Sequence, residues 1–173
     1  MAKKYDKQVS IIMYAFVFAL LVLGFMHEVE PYIQPPDPLK PQIMDYAAEI
    51  SVIGVDEVVP LIKKSTSRQK PLMVVMFASW CGYCRMQMPD IIGLKREGGL
   101  DHLDILFLSR DYQLMKLSEY MLRAGYYNDF KPHVIKDSLF GSSLTEAMHA
   151  VGSGYNGKIP YIEFYDREGR MVK

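Results

Sequence analysis

The chain has 173 residues, room for one ordinary domain and a short appendage. Its 20 basic and 20 acidic residues cancel, so charge gives no ground for a nucleic-acid partner. Two cysteines are too few for the disulfide framework of a small secreted domain, and the four histidines (His27, His102, His133, His149) show no metal-ligand spacing.

Val9 to Met26 is a run of 18 residues without a charge. As a helix it would be ~27 Å long, close to the ~30 Å hydrocarbon core of a bilayer, which predicts one membrane-spanning anchor. Lys3, Lys4 and Lys7 precede it against Asp6, whereas Glu28, Glu30 and Asp37 follow it before Lys40. Positive charge stays inside, so the N-terminus is expected in the cytoplasm and the remainder outside. No small-residue cleavage site follows Gly24, which argues against a removable signal peptide. The next stretch, EPYIQPPDPLKP at Glu30–Pro41, has five prolines in twelve residues and reads as a stiff extended stalk. The expected organisation is therefore a cytoplasmic tail at 1–8, an anchor at 9–27 with lipid contact through 9–26, a proline-rich linker at 28–44 and a folded domain at 45–173.

Within that domain Glu49–Ile53 reads as a short β-branched edge strand. Val55–Ser65 has apolar residues at helical spacing, acids early and lysines late, which suits the helix dipole; Pro60 is expected to shorten or bend it. PLMVVMFAS, Pro71–Ser79, is a continuous apolar run of the kind buried on both faces of a sheet. WCGYC follows at once, and a helix is expected from near Cys81, kinked at Pro89 and stopped by Gly98 and Gly99. A strand at His102–Arg110, a helix at Tyr112–Tyr126, a short strand at Lys131–Asp137 and a helix at Ser143–Gly152 come next. Two antiparallel strands, Tyr161–Tyr165 and Arg170–Lys173, close the chain around a turn at Asp166–Gly169. Alternating strands and helices predict an α/β sandwich with some parallel pairing. His133 reads as loop surface. Met73, Met76, Met86 and Met88 surround the cysteine motif and read as core packing, with Cu(I) handling as an alternative for the soft sulfur ligands.

Cys81 falls where a buried strand becomes a helix. The unsatisfied N–H groups and positive dipole of a helix start stabilise a thiolate, lowering a thiol from ~8.5 into the range ~3.5–7.5. Cys84 lies nearly one turn on, so the two sulfurs share a face and can bond. Cys81 is the expected nucleophile and Cys84 the resolving thiol. Trp80 shields the pair and offers an apolar contact to a partner chain, while Gly82 and Tyr83 influence its potential. A purely structural staple would gain little, because a two-residue loop removes little chain entropy.

The run VVMFASWCGYCRMQMP, Val74–Pro89, resembles the thioredoxin superfamily in its strand, its Trp-Cys-x-x-Cys and its helix-kinking proline. GKIPYIEFYDREGR, Gly157–Arg170, is similar to the family's closing hairpin. The resemblance implies a thioredoxin-like three-layer α/β/α sandwich with a mixed central sheet, preceded here by the transmembrane helix and expected without the family's final C-terminal helix. It implies that Pro160 is a cis-proline beside the cysteines and that the backbone of Ile159 pairs with substrate. The anchor, the long span between Cys84 and Pro160, and the hairpin are most similar to membrane-anchored TlpA/ResA-type thiol–disulfide oxidoreductases facing the periplasm. These implied properties are a single-pass protein of the cytoplasmic membrane that reduces or exchanges disulfides of extracytoplasmic proteins, needs no cofactor beyond the Cys81–Cys84 disulfide, and is recharged by a membrane electron donor. Val75 and Gln87 stand where such proteins often carry acids, which leaves Glu163 as a substitute. The dipeptide Gly82-Tyr83 matches isomerases of the DsbC type. The missing last helix implies a partner over the sheet face left open, and with the missing acids it favours the alternative of a non-catalytic accessory subunit.

Overall fold

The computed structural model describes residues 13–23, 37–66, 70–136 and 142–172. Two compact units are separable, Met1–Pro38 and Leu39–Lys173. In the first, a helix (α1) covers residues 13–23, within the predicted anchor. Residues 9–12 and 24–27 of that span, the tail at 1–8 and most of the predicted linker lie outside the described residues. Among the described residues no helix is long and apolar enough to cross a membrane.

The second unit begins with helix α2, Lys40–Glu49. It takes in the last residues of the predicted stalk, because Pro41 occupies the first turn, where its missing N–H has no intrahelical partner to lose. Then come β1 (Ser51–Gly54), α3 (Val55–Thr66), β2 (Leu72–Phe77), α4 (Gly82–Arg96), β3 (Asp104–Ser109) and α5 (Leu114–Arg123). They are followed by β4 (His133–Lys136), α6 (Ser142–His149), β5 (Tyr161–Tyr165) and β6 (Met171–Val172). Helix α3 runs unbroken through Pro60, so the expected shortening does not occur. His133 opens strand β4 rather than lying on a loop, and its Nδ1 is buried without a hydrogen-bond partner among the described residues.

The six strands form one mixed sheet in the order β1-β4-β3-β2-β5-β6. β1, β4, β3 and β2 run parallel, β5 joins antiparallel to β2, and β6 pairs antiparallel to β5 at the edge. Strand β4, supplied by the long span between Cys84 and Pro160, separates β1 from β3. The β5–β6 turn is closed by the Gly169 N–H donating to the Asp166 carbonyl, with Gly169 at a φ of 78°, where a side chain would be strained.

Successive side chains of a strand point to opposite faces, and β2 shows the consequence. Met73, Val75 and Phe77 pack with Tyr46 of α2, Cys84, Met88 and Ile92 of α4, and Leu117 and Met121 of α5. Leu72, Val74 and Met76 pack on the other side with Val58 and Ile62 of α3 and Leu144 and Met148 of α6. The result is the predicted three-layer α/β/α sandwich, and it fits a thioredoxin-like fold. Met73, Met76 and Met88 are core residues as expected, but Met86 is exposed: it sits on the outward side of α4, two positions before the inward Met88. On β5 and β6, Ile162, Phe164 and Val172 are partly exposed apolar residues.

Candidate redox site

Two chain crossings build the site. The first is the turn from β2 into α4. Trp80 is exposed, and Cys81 is the N-cap of α4 in an extended conformation (φ −83°, ψ 112°). Its own N–H donates to the Ala78 carbonyl at 3.1 Å, and its carbonyl accepts the Arg85 N–H at 3.1 Å, so the helix starts immediately after it. Cys81 and Cys84 form a disulfide, with Cα atoms 5.2 Å apart. The Cys84 backbone N–H donates to Cys81 Sγ at 3.2 Å. That N–H is one of the donors a helix start leaves unsatisfied, and it lies where it can stabilise a Cys81 thiolate once the bond is reduced. Cys84 is 1% exposed and Cys81 8%, so an incoming group reaches Cys81 first. Gly82 and Tyr83 both face solvent, and nothing lies within 4 Å of where a Cβ on Gly82 would point.

The second crossing is the segment entering β5. The Ile159–Pro160 peptide bond is cis, as the family resemblance implies. The Ile159 carbonyl oxygen lies 3.7 Å from Cys81 Sγ. A disulfide sulfur has no proton to give, so this is a contact in the oxidised pair and a hydrogen bond only for a reduced thiol. Ile159 packs against both halves of the core, which fixes that carbonyl beside the sulfur. A cavity of about 630 Å³ opens next to it, bordered by Trp80, Tyr112, Leu114 and Ile159.

One part of the site has no counterpart in the sequence reading. Asp111 is 2% exposed and accepts three hydrogen bonds. They come from the Ser79 N–H (2.8 Å), the Ser79 hydroxyl (2.6 Å) and the Ser109 hydroxyl (2.7 Å). Sheet register explains the meeting. Phe77 pairs with Ser109, so the residues two beyond each, Ser79 and Asp111, leave the sheet side by side. The carboxylate thus ties the turn carrying Trp80 and Cys81 to the end of β3. The available signal was Ser-Arg-Asp closing an apolar strand, at the carboxyl end of parallel strands where sites of α/β sheets gather.

Glu163 does not take the place of the family's acids. It pairs with Val74, so it faces α3 and α6, the side of the sheet opposite Cys84. There it is buried and accepts hydrogen bonds from the Ser153, Tyr161 and Tyr165 hydroxyls. That partnership, with burial as the larger cause, raises the Tyr165 hydroxyl far above its ordinary value. Val75 does face Cys84, but it is apolar, and Gln87 is exposed on α4. Among the described residues no three His, Cys, Asp or Glu side chains converge in a metal-binding group.

No protein-family profile and no curated protein matches the chain. Solved structures do. A thioredoxin-family thiol:disulfide interchange protein from Chlorobium tepidum is 22% identical over 64% of this chain and 71% of its own, with a TM-score of 0.48. The thioredoxin domain of a thiol–disulfide oxidoreductase from Bacteroides vulgatus is 15% identical over 61% and 69%, with a TM-score of 0.47. StoA from Bacillus subtilis is 14% identical over 61% and 72%, with a TM-score of 0.45. The thioredoxin-like arrangement of this chain is carried by its own strand order, pairing and helix layers.

Proposed function

We propose that the protein is a thiol–disulfide oxidoreductase, held in the cytoplasmic membrane by residues 9–26, whose redox domain faces the periplasm and reduces or exchanges disulfides of proteins there. The observation that carries the chemistry is the Cys81–Cys84 disulfide at the first turn of α4, with Cys81 Sγ 3.7 Å from the Ile159 carbonyl. The membrane placement rests on the uncharged run and its flanking lysines.

In the reducing direction the Cys81 thiolate attacks a substrate disulfide. One substrate sulfur bonds to Cys81 and the other leaves as a thiolate and takes a proton. The Cys84 thiolate then attacks Cys81 Sγ, re-forming the Cys81–Cys84 bond and releasing the second substrate thiol. Two electrons have passed to the substrate, and a dithiol electron donor in the membrane must return them. Trp80 and Tyr83, 57% and 75% exposed, flank the sulfurs and supply apolar contact to the substrate chain. The Ile159 backbone, beside the sulfur, pairs with the substrate strand.

The test is trapping. Cys84→Ala lacks the resolving thiol, so extracytoplasmic proteins should accumulate on Cys81 as mixed disulfides that dithiothreitol releases. Failure to trap any, with Cys81 and Cys84 remaining oxidised in cells, would favour a second reading. That reading, an accessory subunit docking through the sheet, draws on the exposed Ile162, Phe164 and Val172.

A further inference from the structure

A second cavity, of about 510 Å³, lies between α4 and α5 and shares Trp80, Asp111 and Tyr112 with the cavity beside Ile159. This is within the ~300–1,000 Å³ range of ligand pockets. Three cations and two carboxylates line it. Arg85 comes from the first turns of α4, and Lys116 and Arg123 from one face of α5. Glu119 opposes them, but it is a single carboxylate divided between Arg123 at 3.0 Å and Lys116 at 3.5 Å. Asp111 is a second carboxylate on the wall, with both oxygens already accepting from serine donors; against Arg85, Lys116 and Arg123 the lining keeps one net positive charge. Arg85 makes no ion pair among the described residues; its guanidinium lies 5.5 Å from the centre of the Tyr120 ring. Burial pushes the Tyr120 hydroxyl up to about 12, so it keeps its proton and adds no charge of its own. The cavity beside Ile159 is bordered by two further cations, Arg110 and Lys136, so the surroundings of the sulfurs are basic on both sides in a chain of zero net charge.

We propose that the cavity between α4 and α5 binds an acidic side chain that flanks the reacting cysteine of a substrate protein, with Arg85 and Lys116 supplying the counter-charge. This rests on the redox reading above and names the kind of substrate. The guanidinium fork suits a carboxylate, a partly enclosed site screens the pair less than open solvent, and a basic surround speeds encounter with an acidic partner. A protein side chain fits better than a free anion because the cavity opens beside Trp80, next to the attacking sulfur, where a residue close in sequence to the target cysteine would arrive.

Three disulfide peptides, identical except for Glu, Gln or Lys two residues from the cysteine, test this on the full chain. Exchange is followed as kcat/KM. Binding of thiol-free versions is followed by the fluorescence of Trp80, the only tryptophan, which needs no turnover. The Glu peptide should bind about three- to tenfold more tightly than the Gln peptide at low salt, and the difference should shrink as salt rises. Arg85→Gln and Lys116→Gln should each bring the Glu-to-Gln ratio below about twofold, and Lys116→Glu should turn the preference toward the Lys peptide. Equal binding of the Glu and Gln peptides, or a ratio unmoved by these substitutions, overturns the proposal, and exchange of all three peptides at one rate would do so while leaving the redox reading intact. Discrimination by Trp80 fluorescence with no exchange of any peptide upholds the acidic site and overturns the redox reading instead.

Discussion

Replacing Asp111 with alanine removes the acceptor for three donors at one stroke. The Ser79 N–H loses its partner, and the Ser79 and Ser109 hydroxyls must find others in a region where Ser79 is 8% and Ser109 0% exposed. A hydrogen bond to a charged group contributes about 1.5–3 kcal/mol, and a donor left buried without an acceptor costs about 1–3 kcal/mol. Ser109 Oγ still accepts the residue-111 N–H, which moderates the loss on that side. Charging the Ser79 amide and one hydroxyl gives a destabilisation of about 3–5 kcal/mol, a large part of the ~5–15 kcal/mol total of an ordinary domain. Urea unfolding followed by Trp80 fluorescence measures it directly. Asp111→Asn retains a carbonyl oxygen for the Ser79 N–H, so it should lose only about 1–2 kcal/mol. Because Ser79 and Trp80 immediately precede Cys81, the alanine variant should also change the alkylation rate of reduced Cys81 at fixed pH. An alanine variant within about 1 kcal/mol of the parent, with Cys81 equally reactive, would show that the turn is held by other contacts.

Glu163→Gln should cost about 1–2 kcal/mol, since three hydroxyl donors lose a charged acceptor, yet leave the Cys81 thiolate titration unchanged because Glu163 faces away from Cys84. A shifted Cys81 titration would contradict that placement. Burial lowers the His133 pKa below its ordinary 6.5, so the folded chain resists the proton that the unfolded chain accepts. The contribution of the neutral ring is complete above pH 6.5 and is lost as pH falls below it. His133→Gln should accordingly flatten the decline of unfolding free energy between about pH 7 and 5, measured in urea at each pH; an equal slope in both proteins would place the proton uptake elsewhere.

Much of the fold was legible in the sequence because its causes are local. The run Leu72–Phe77 is apolar at every position, as a central strand covered on both faces must be. The cysteines fall at the junction that follows it, and the spacing of Leu117 and Met121 sets a helix face within a few residues. The β5–β6 hairpin carries its own turn. Each of these depends on interactions within one or two turns of chain, so a single sequence is enough to read them. Helix α2 begins inside the proline-rich stretch Glu30–Pro41, which composition alone does not reveal, because Pro41 is tolerated in a first turn.

What the sequence left open depends on register and packing between segments far apart. Ser79 and Asp111 are 32 positions apart and meet only because Phe77 pairs with Ser109. Glu163 could face either side of the sheet until its pairing with Val74 fixed it away from Cys84, since a shift of one residue moves every side chain of a strand to the other face. The rotation of α4 about its axis decided that Met88 is core and Met86 solvent. The grouping of Arg85 with Lys116 and Arg123 needed two helices to pack across one gap. The sequence alone determined that two cysteines sit at a strand-to-helix junction, because that is a statement about neighbours along the chain. Only the tertiary structure decided which acids and cations surround them, because those come from strands and helices whose register and orientation no local pattern specifies.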